Sequence, residues 1–558
     1  MNAVCRACNT AFVIHPDEEA FVDKMQFTYG STVIHPVLSP YCPDCRSQIR
    51  TSHRNERFLY KTRSACSGKD IVALYAETPL ENAPSKVFAQ EEWKSDIWDP
   101  LSFGRDFDFS RPFFEQFAEL QRDVPRMALI SLGNENSGYT TGTGYCKNCY
   151  LINSSENCED CYYGKLMQKS MRSMDCHYLY DSQYCYECFS VYNCYYCQFV
   201  SFSQNCESCL FSSNLKGCKN CCLCTNLNHK EYHFMNEPLS KEEYNKRLAE
   251  FMGDYERTEA MKKLYGDVMR TMIRKYANIV NSDDSTGDYI ENSKNCHDCY
   301  DVTDSQDCRH VYVGVNVKDN YHCSNMYIKP ELCYETLGTI EVYNTAYCLF
   351  VFHCQNFLYS EYSFSSKDCF GCSGMTHKQY CIMNKQYTKD EYETLVPKIV
   401  EHMKKTSEWG LYFPPQLSPF GYNESVASEY FPLSKEDAIA KGFRWRDPDD
   451  REHRSQTAQL PNKIVEADET LTQEIFSCSD CNRNYRIIPQ ELTFYKDFVI
   501  ALPRRCPDCR YTQRMKLRNP RKLWERSCSN CNKPVHTTYS PDGPETVYCE
   551  RCYLEAVY

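Results

Sequence analysis

The chain has 558 residues, of which 38 are cysteine, and a formal net charge of −12. That length exceeds one ordinary domain and permits a sizeable core, which excludes a short disulfide-stapled scaffold, while the overall acidity argues against a general nucleic-acid coat. No apolar run approaches the roughly 18 residues of a membrane span, and the start MNAVCRACNT carries neither a basic nor an apolar leader segment, so a soluble protein of a reducing cytoplasm is expected.

In chain order, residues 1–62 come first, with two CxxC knuckles, Cys5 with Cys8 and Cys42 with Cys45. Each knuckle offers two thiolates to one face of a tetrahedral ion, and two knuckles together make the four-cysteine pattern of a zinc ribbon. Behind the second knuckle Arg46, Arg50 and Arg54 step by four, which predicts one cationic stripe on a helix. Residues 63–140 read as a degenerate second ribbon and a connecting segment. Aligned on the carboxyl-terminal copy, Arg63 stands at Cys528, and Ala89 and Glu92 stand at Cys549 and Cys552, so no metal is expected there. This loss makes sequential pairing the economical reading, because cross-braced ligands would leave two broken sites.

Residues 141–237 change character. From Thr143 to Leu227 every third residue is small or apolar, as in Cys146, Cys149, Ile152, Ser155, Cys158 and Cys161. Helices repeat at 3.6 residues and flat strands at 2, so an unbroken period of three predicts a narrow β-solenoid whose third residue turns inward. Because Ser, Val, Leu, Met and Ile share the register with Cys, buried unliganded thiols are expected in preference to metal ligands or disulfides. The intervening tyrosines are expected on the outside, with hydroxyls in water.

Residues 238–285 are read as a helical segment, one long amphipathic helix over roughly 241 to 279 opened by a capping box at Ser240 and Glu243. Residues 286–386 repeat the solenoid: CHDCYDVTDSQDCRHVYVG answers CKNCYLINSSENCEDCYYG, with a one-residue slip between Met326 and Cys333. Both copies end alike, aligning His229 with His377, which reads as a capping contact. A helix over 387–408 follows, capped by Thr388 and Glu391, then a linker or docking segment over 409–470 in which Pro419 and Gly421 turn the chain around an exposed Phe420 and Tyr422. Two further ribbons close the chain. Residues 471–526 hold Cys478, Cys481, Cys506 and Cys509, and residues 527–558 hold Cys528, Cys531, Cys549 and Cys552. Arg510, Arg514 and Arg518 repeat the amino-terminal stripe on a helix limited by Pro520, and residues 504–526 carry a net charge of +7.

The fold expected is thus mainly β with helical insertions: a tandem duplicated cysteine-ladder β-solenoid flanked by zinc-ribbon modules at both termini. The segments ELTFYKDFVIALPRRCPDCR, NPRKLW, PETVYCERCY, WKSDIWDPLSFGRDFDFSRPFFEQF and LSPFGYNESVASEYFPL resemble the uncharacterised cysteine-rich zinc-ribbon proteins common in candidate-phylum bacteria with small genomes, across essentially the whole chain. The ribbons are similar to the probable zinc-ribbon type marked by a CPDCR knuckle. The resemblance implies zinc binding and no particular activity.

Three structural zinc ions are expected, with all ligands thiolate and no open position for chemistry. The leading expectation is a non-enzymatic scaffold whose basic ends bind nucleic acid, RNA or a ribonucleoprotein before DNA, through the two arginine stripes. The alternative is a protein-assembly scaffold whose ribbons and tyrosine-rich flanks bind other proteins; for the stripes themselves the competing reading is a solvated face or an intramolecular partner for the acidic solenoid. An enzyme on the solenoid surface is the third reading; no GxSxG, HExxH or P-loop supports it.

Overall fold

The period of three folds as a four-sided coil. The structure, a computed structural model, describes all residues except 78–79, 81–83, 448–452 and 558; residues 448–452 belong to the segment read as a linker. Parallel strands pair one coil apart, His177 facing Phe189 and Phe189 facing Ser201, so a coil takes 12 residues. The one-residue slip is a single longer coil, in which Asn320 pairs with Cys333.

The residue before each inward position turns the corner in the left-handed conformation, with φ of 53° at Tyr145, 53° at Asn148 and 50° at Leu151. For residues with a side chain this costs on the order of 1 kcal/mol each. The ladder between coils offsets it. Lys147 N–H donates to the Cys158 carbonyl one coil on, and Asn148 N–H donates to the Glu135 carbonyl one coil back.

The third amide of a side belongs to the inward residue and points toward the core, where few backbone carbonyls reach it. An inward side chain of the preceding coil accepts it: Cys149 N–H donates to Ser137 Oγ at 3.0 Å, Cys185 N–H to Ser173 Oγ at 3.1 Å, and Cys206 N–H to Cys194 Sγ at 3.3 Å. The same side chains donate to carbonyls, as Cys149 Sγ does to Lys147 and Cys158. Cysteine and serine recur inside because both are small and can donate and accept, leaving fewer buried amides unpaired.

The first solenoid begins earlier than expected, at Ser131–Leu132 paired with Thr143–Gly144, and ends at Glu231–Phe234 under the antiparallel strand Glu237–Pro238. The second runs from Ile279–Val280 to Gln379–Ile382, under Lys385–Gln386. The two touch through Phe202 stacked near Tyr289. The expected single helix after the first solenoid is two helices, Lys241–Ala249 and Tyr255–Thr271, separated where Gly253 takes a φ of 73°. The hydroxyls of Ser240 and Thr388 accept from the amides of Glu243 and Glu391, as Ser434 does from that of Asp437; of the three, Thr388 completes the capping box, its N–H donating to the Glu391 carboxylate.

The terminal modules dock crosswise. The amino-terminal module covers the second solenoid, with Phe21 stacked on Tyr321 at 4.1 Å; the carboxyl-terminal module covers the first, with Phe498 stacked on Tyr196 at 5.1 Å. This coverage buries many tyrosines expected in water, among them Tyr186, Tyr334, Tyr347 and Tyr359. The presumed docking loop is likewise internal. Phe420 and Tyr422 are 3% and 1% exposed, and Gln48 donates to the Tyr422 hydroxyl, so the loop braces the helix behind the first ribbon. Among the described residues no helix is long and apolar enough to cross a membrane.

Candidate metal centres

Local backbone geometry positions the sulfurs of each ribbon. In the first knuckle of all three, the residue after the second cysteine turns left-handed, with φ of 57° at Asn9, 59° at Asn482 and 59° at Asn532, so that its amide bonds back to the first cysteine carbonyl. In the ribbons at Cys42 and Cys506 the second knuckle opens a helix, Pro43–Ser52 and Pro507–Met515, with proline at its first position. The free amides and dipole of such an N-terminus favour a thiolate. Cys506 N–H already donates to Cys478 Sγ at 3.2 Å, and Cys549 N–H to Cys528 Sγ at 3.2 Å.

The twelve sulfurs gather as the sequence predicts. Cys5, Cys8, Cys42 and Cys45 form one group, Cys478, Cys481, Cys506 and Cys509 a second, and Cys528, Cys531, Cys549 and Cys552 a third, with ligand atoms within 4.8 Å of one another. Across each site the knuckles stand 3.7 Å apart at Cys8 and Cys42, 3.8 Å at Cys481 and Cys506, and 3.7 Å at Cys531 and Cys549. A tetrahedral ion with metal–sulfur bonds of about 2.3 Å requires sulfur–sulfur edges of about 3.8 Å. The groups can therefore hold a metal ion of that bond length. Their hydrogen bonding pulls Cys42 down to about 5, chiefly through Cys45 and against the rise that burial would cause.

The fourth ribbon keeps the shape without the sulfur. Ser64 N–H bonds to the Lys69 carbonyl as Cys528 N–H bonds to that of Lys533, and Ala65 N–H to Val87 as Ser529 N–H to Val547. The residue at the Cys528 position is therefore Ser64, one beyond the expected Arg63, and Ala89 and Glu92 occupy the other knuckle. Ser64 Oγ donates to Glu92 and accepts from Ala89 N–H, and hydrogen bonds from Ser64 and Ser67 hold the Glu92 carboxyl below its usual range. Direct hydrogen bonds bridge the knuckles where the other ribbons have four sulfurs.

Solenoid cysteines behave otherwise. Among the described residues none joins a group of three ligand atoms within 4.8 Å. Burial pushes Cys161, Cys176 and Cys333 well above the usual thiol range. Where thiols neighbour one another, as Cys146 does Cys149 and Cys158, the donated S–H lowers one sulfur and raises its partners. All 38 cysteines are free of disulfide bonds.

The arginine stripes meet carboxylates of the same chain. Arg46 and Arg50 each stand 2.5 Å from Glu335, and Arg54 stands 2.5 Å from Glu56. Arg510 bonds Asp175 at 2.9 Å and Glu491 at 3.1 Å; Arg514 bonds Asp175 at 2.9 Å and Glu187 at 3.1 Å; Arg518 pairs with Asp301. Arg46, Arg50, Arg54, Arg510 and Arg514 are buried, and the Arg518 side chain is only 9% exposed. Arg54 and Arg518 also lie past their helices, which end at Ser52 and Met515. The stripes fasten the ribbons at Cys42 and Cys506 to solenoid corners. The acidic partners carried no motif. Their one signal is position, because Asp175, Glu187 and Glu335 sit at left-handed corners, where side chains lean outward.

The same fastening explains a further group, Glu18, His310 and His322, whose ligand atoms also lie within 4.8 Å. His322 Nε2 is 2.6 Å from Glu18, the Glu18 carboxylate also accepts from His15 N–H, and Arg46 lies 3.8 Å away. Glu491 is the counterpart in the other half, held by Tyr163, Tyr495 and Arg510. With a guanidinium already against the carboxylate, a divalent cation is disfavoured, and the group is a hydrogen-bonded brace. Elsewhere Asp106 bonds Lys385 and Tyr387, and Asp108 bonds Ser110, as structural pairs.

No protein-family model matches the chain, and no curated protein does. Among solved structures a protein described as a "putative acetyltransferase" from Desulfovibrio desulfuricans G20 is 10% identical over 43% of this chain, which spans 62% of that protein, at a TM-score of 0.11. A likeness that low carries no argument about fold or activity.

Proposed function

We propose that the chain is a non-enzymatic scaffold, in which three structural zinc ions hold the ribbons and the ribbons clasp a duplicated solenoid. The observation that carries this reading is the pairing of tetrahedral sulfur edges of 3.7 to 3.8 Å with arginine helices seated on the solenoid corners. Thiolate sets with no open position suit an ion that holds a fold and performs no reaction. The many free interior thiols fit a reducing compartment.

Nucleic-acid binding through Arg46, Arg50, Arg54, Arg510, Arg514 and Arg518 would require charged side chains to leave buried carboxylates, at a cost of several kcal/mol each. The assembly reading, with a protein partner on an exposed flank, gains from that arrangement; Tyr192 and Tyr195 on the first solenoid are 40% and 48% exposed. Metal analysis of protein purified without chelator tests the scaffold: three zinc ions per chain are expected, and their removal should release the termini to proteolysis while the solenoids persist. Solenoids that lose their ladder with the metal, or a chain that binds none, would overturn it.

A further inference from the structure

The carboxyl-terminal half has a feature that its amino-terminal twin lacks. Directly before the knuckle of Cys506 stand Arg504 and Arg505, where the first ribbon has Pro40 and Tyr41 ahead of Cys42. Both halves fasten a ribbon to a solenoid corner through their stripes, and this arginine pair is additional to that fastening.

The two side chains line a small, solvent-open cleft between the ribbon, the first solenoid and the helix Tyr255–Thr271, which also brings Lys262 to its lining. Arg505 and Lys262 share Glu259, at 3.2 Å and 2.9 Å, and Arg505 also bonds Asp480. The Arg510 and Glu187 side chains at the cleft floor are taken up in the corner pairs with Asp175, Glu491 and Arg514. Arg504 differs: among the described residues it pairs with no carboxylate, its Nε is buried without a hydrogen-bond partner, and its guanidinium lies 4.3 Å from the centre of the Tyr255 ring. The Lys262 ammonium lies 4.9 Å from the centre of the Phe199 ring, which is itself stacked on Phe211.

We propose that this cleft binds a phosphate group, with Arg504 as its principal donor and Arg505 and Lys262 flanking it. A guanidinium fork fits phosphate oxygens in two parallel hydrogen bonds, and a neighbouring ammonium adds a point charge. The phosphate has two chemical sources, a single-stranded nucleic acid or a free phosphoester. The backbone links this cleft to the metal, since Ser479 N–H, inside the first knuckle, donates to the Arg504 carbonyl at 3.0 Å.

Titration calorimetry of the metal-loaded full chain at low salt, with inorganic phosphate and with a 5′-phosphorylated RNA oligomer, tests the proposal. Binding of one probe or both is expected, weakened at least tenfold in Arg504→Gln and severalfold in Lys262→Gln, with zinc content unchanged in each. RNA binding that phosphate displaces and salt weakens identifies a strand; phosphate binding without RNA binding identifies a free phosphoester. If neither probe binds, or if both variants bind as the native chain does, the proposal falls.

Discussion

Ribbons and solenoids spell cysteine the same way and use it in opposite ways. CKNC at 146–149 and CPDC at 506–509 have identical spacing. In the solenoid the spacing is the period of the coil, and the thiols donate to carbonyls of their own and the next coil. In the ribbon two knuckles converge from different segments, four sulfurs crowd to within 4.8 Å, and helix amides favour the thiolate. The difference teaches that CxxC becomes a ligand only where a second pair meets it and the protons have no other use.

Removing one ribbon ligand breaks the comparison hardest. Cys506→Ser is expected to lose one zinc of three and unfold its ribbon, since structural zinc contributes on the order of 10 kcal/mol; metal analysis with limited proteolysis reads both. Next comes the seam between the regions. Arg50→Gln leaves Glu335 buried beside a single remaining arginine, and about 3 to 5 kcal/mol of stability should disappear, visible as a lower urea midpoint. An Arg50→Gln chain as stable as the native one would mean the stripe is not a fastening.

Acid acts on the same seam. Burial lowers His53, behind the first arginine helix, to about 4, against the rise from its bond with the Phe413 carbonyl. The unfolded chain takes up this proton near pH 6.5 and the folded chain only near 4, so the stabilisation is full above 6.5 and declines as pH falls through that window, by about 1.4 kcal/mol per unit. Denaturant midpoints between pH 7 and 5 should therefore fall, and less steeply in His53→Gln.

Two changes inside the solenoid should do least. Cys197→Ala removes a buried sulfur and is expected to cost about 1 to 3 kcal/mol with all zinc retained; zinc loss would contradict an unliganded ladder. Cys194→Ser should shift stability by less than about 1 kcal/mol, because serine can accept the Cys206 amide as Ser182 accepts that of Cys194.

Much of this was legible in residues 143–227, where the period of three left one architecture standing, and in the knuckles, whose loss at Ala89 and Glu92 fixed the pairing. The register of that lost site was misread by one residue, since Ser64 and Arg63 differ only through the backbone bond from Ser64 to Lys69. The helix after the first solenoid was drawn too long because Gly253 can sit inside a helical pattern as readily as it can break one.

By itself the sequence determined what repeats along the chain: the coil, its duplication, the ribbons and their pairing. These follow from local spacing, which backbone geometry converts directly into structure. The direction in which Arg46, Arg50, Arg510 and Arg514 face was decided only in three dimensions. A stripe at helical spacing is equally suited to water, phosphate or carboxylate, and its partners Glu335, Asp175 and Glu187 lie some hundreds of residues away, reached only after the coil has stacked and the modules have crossed.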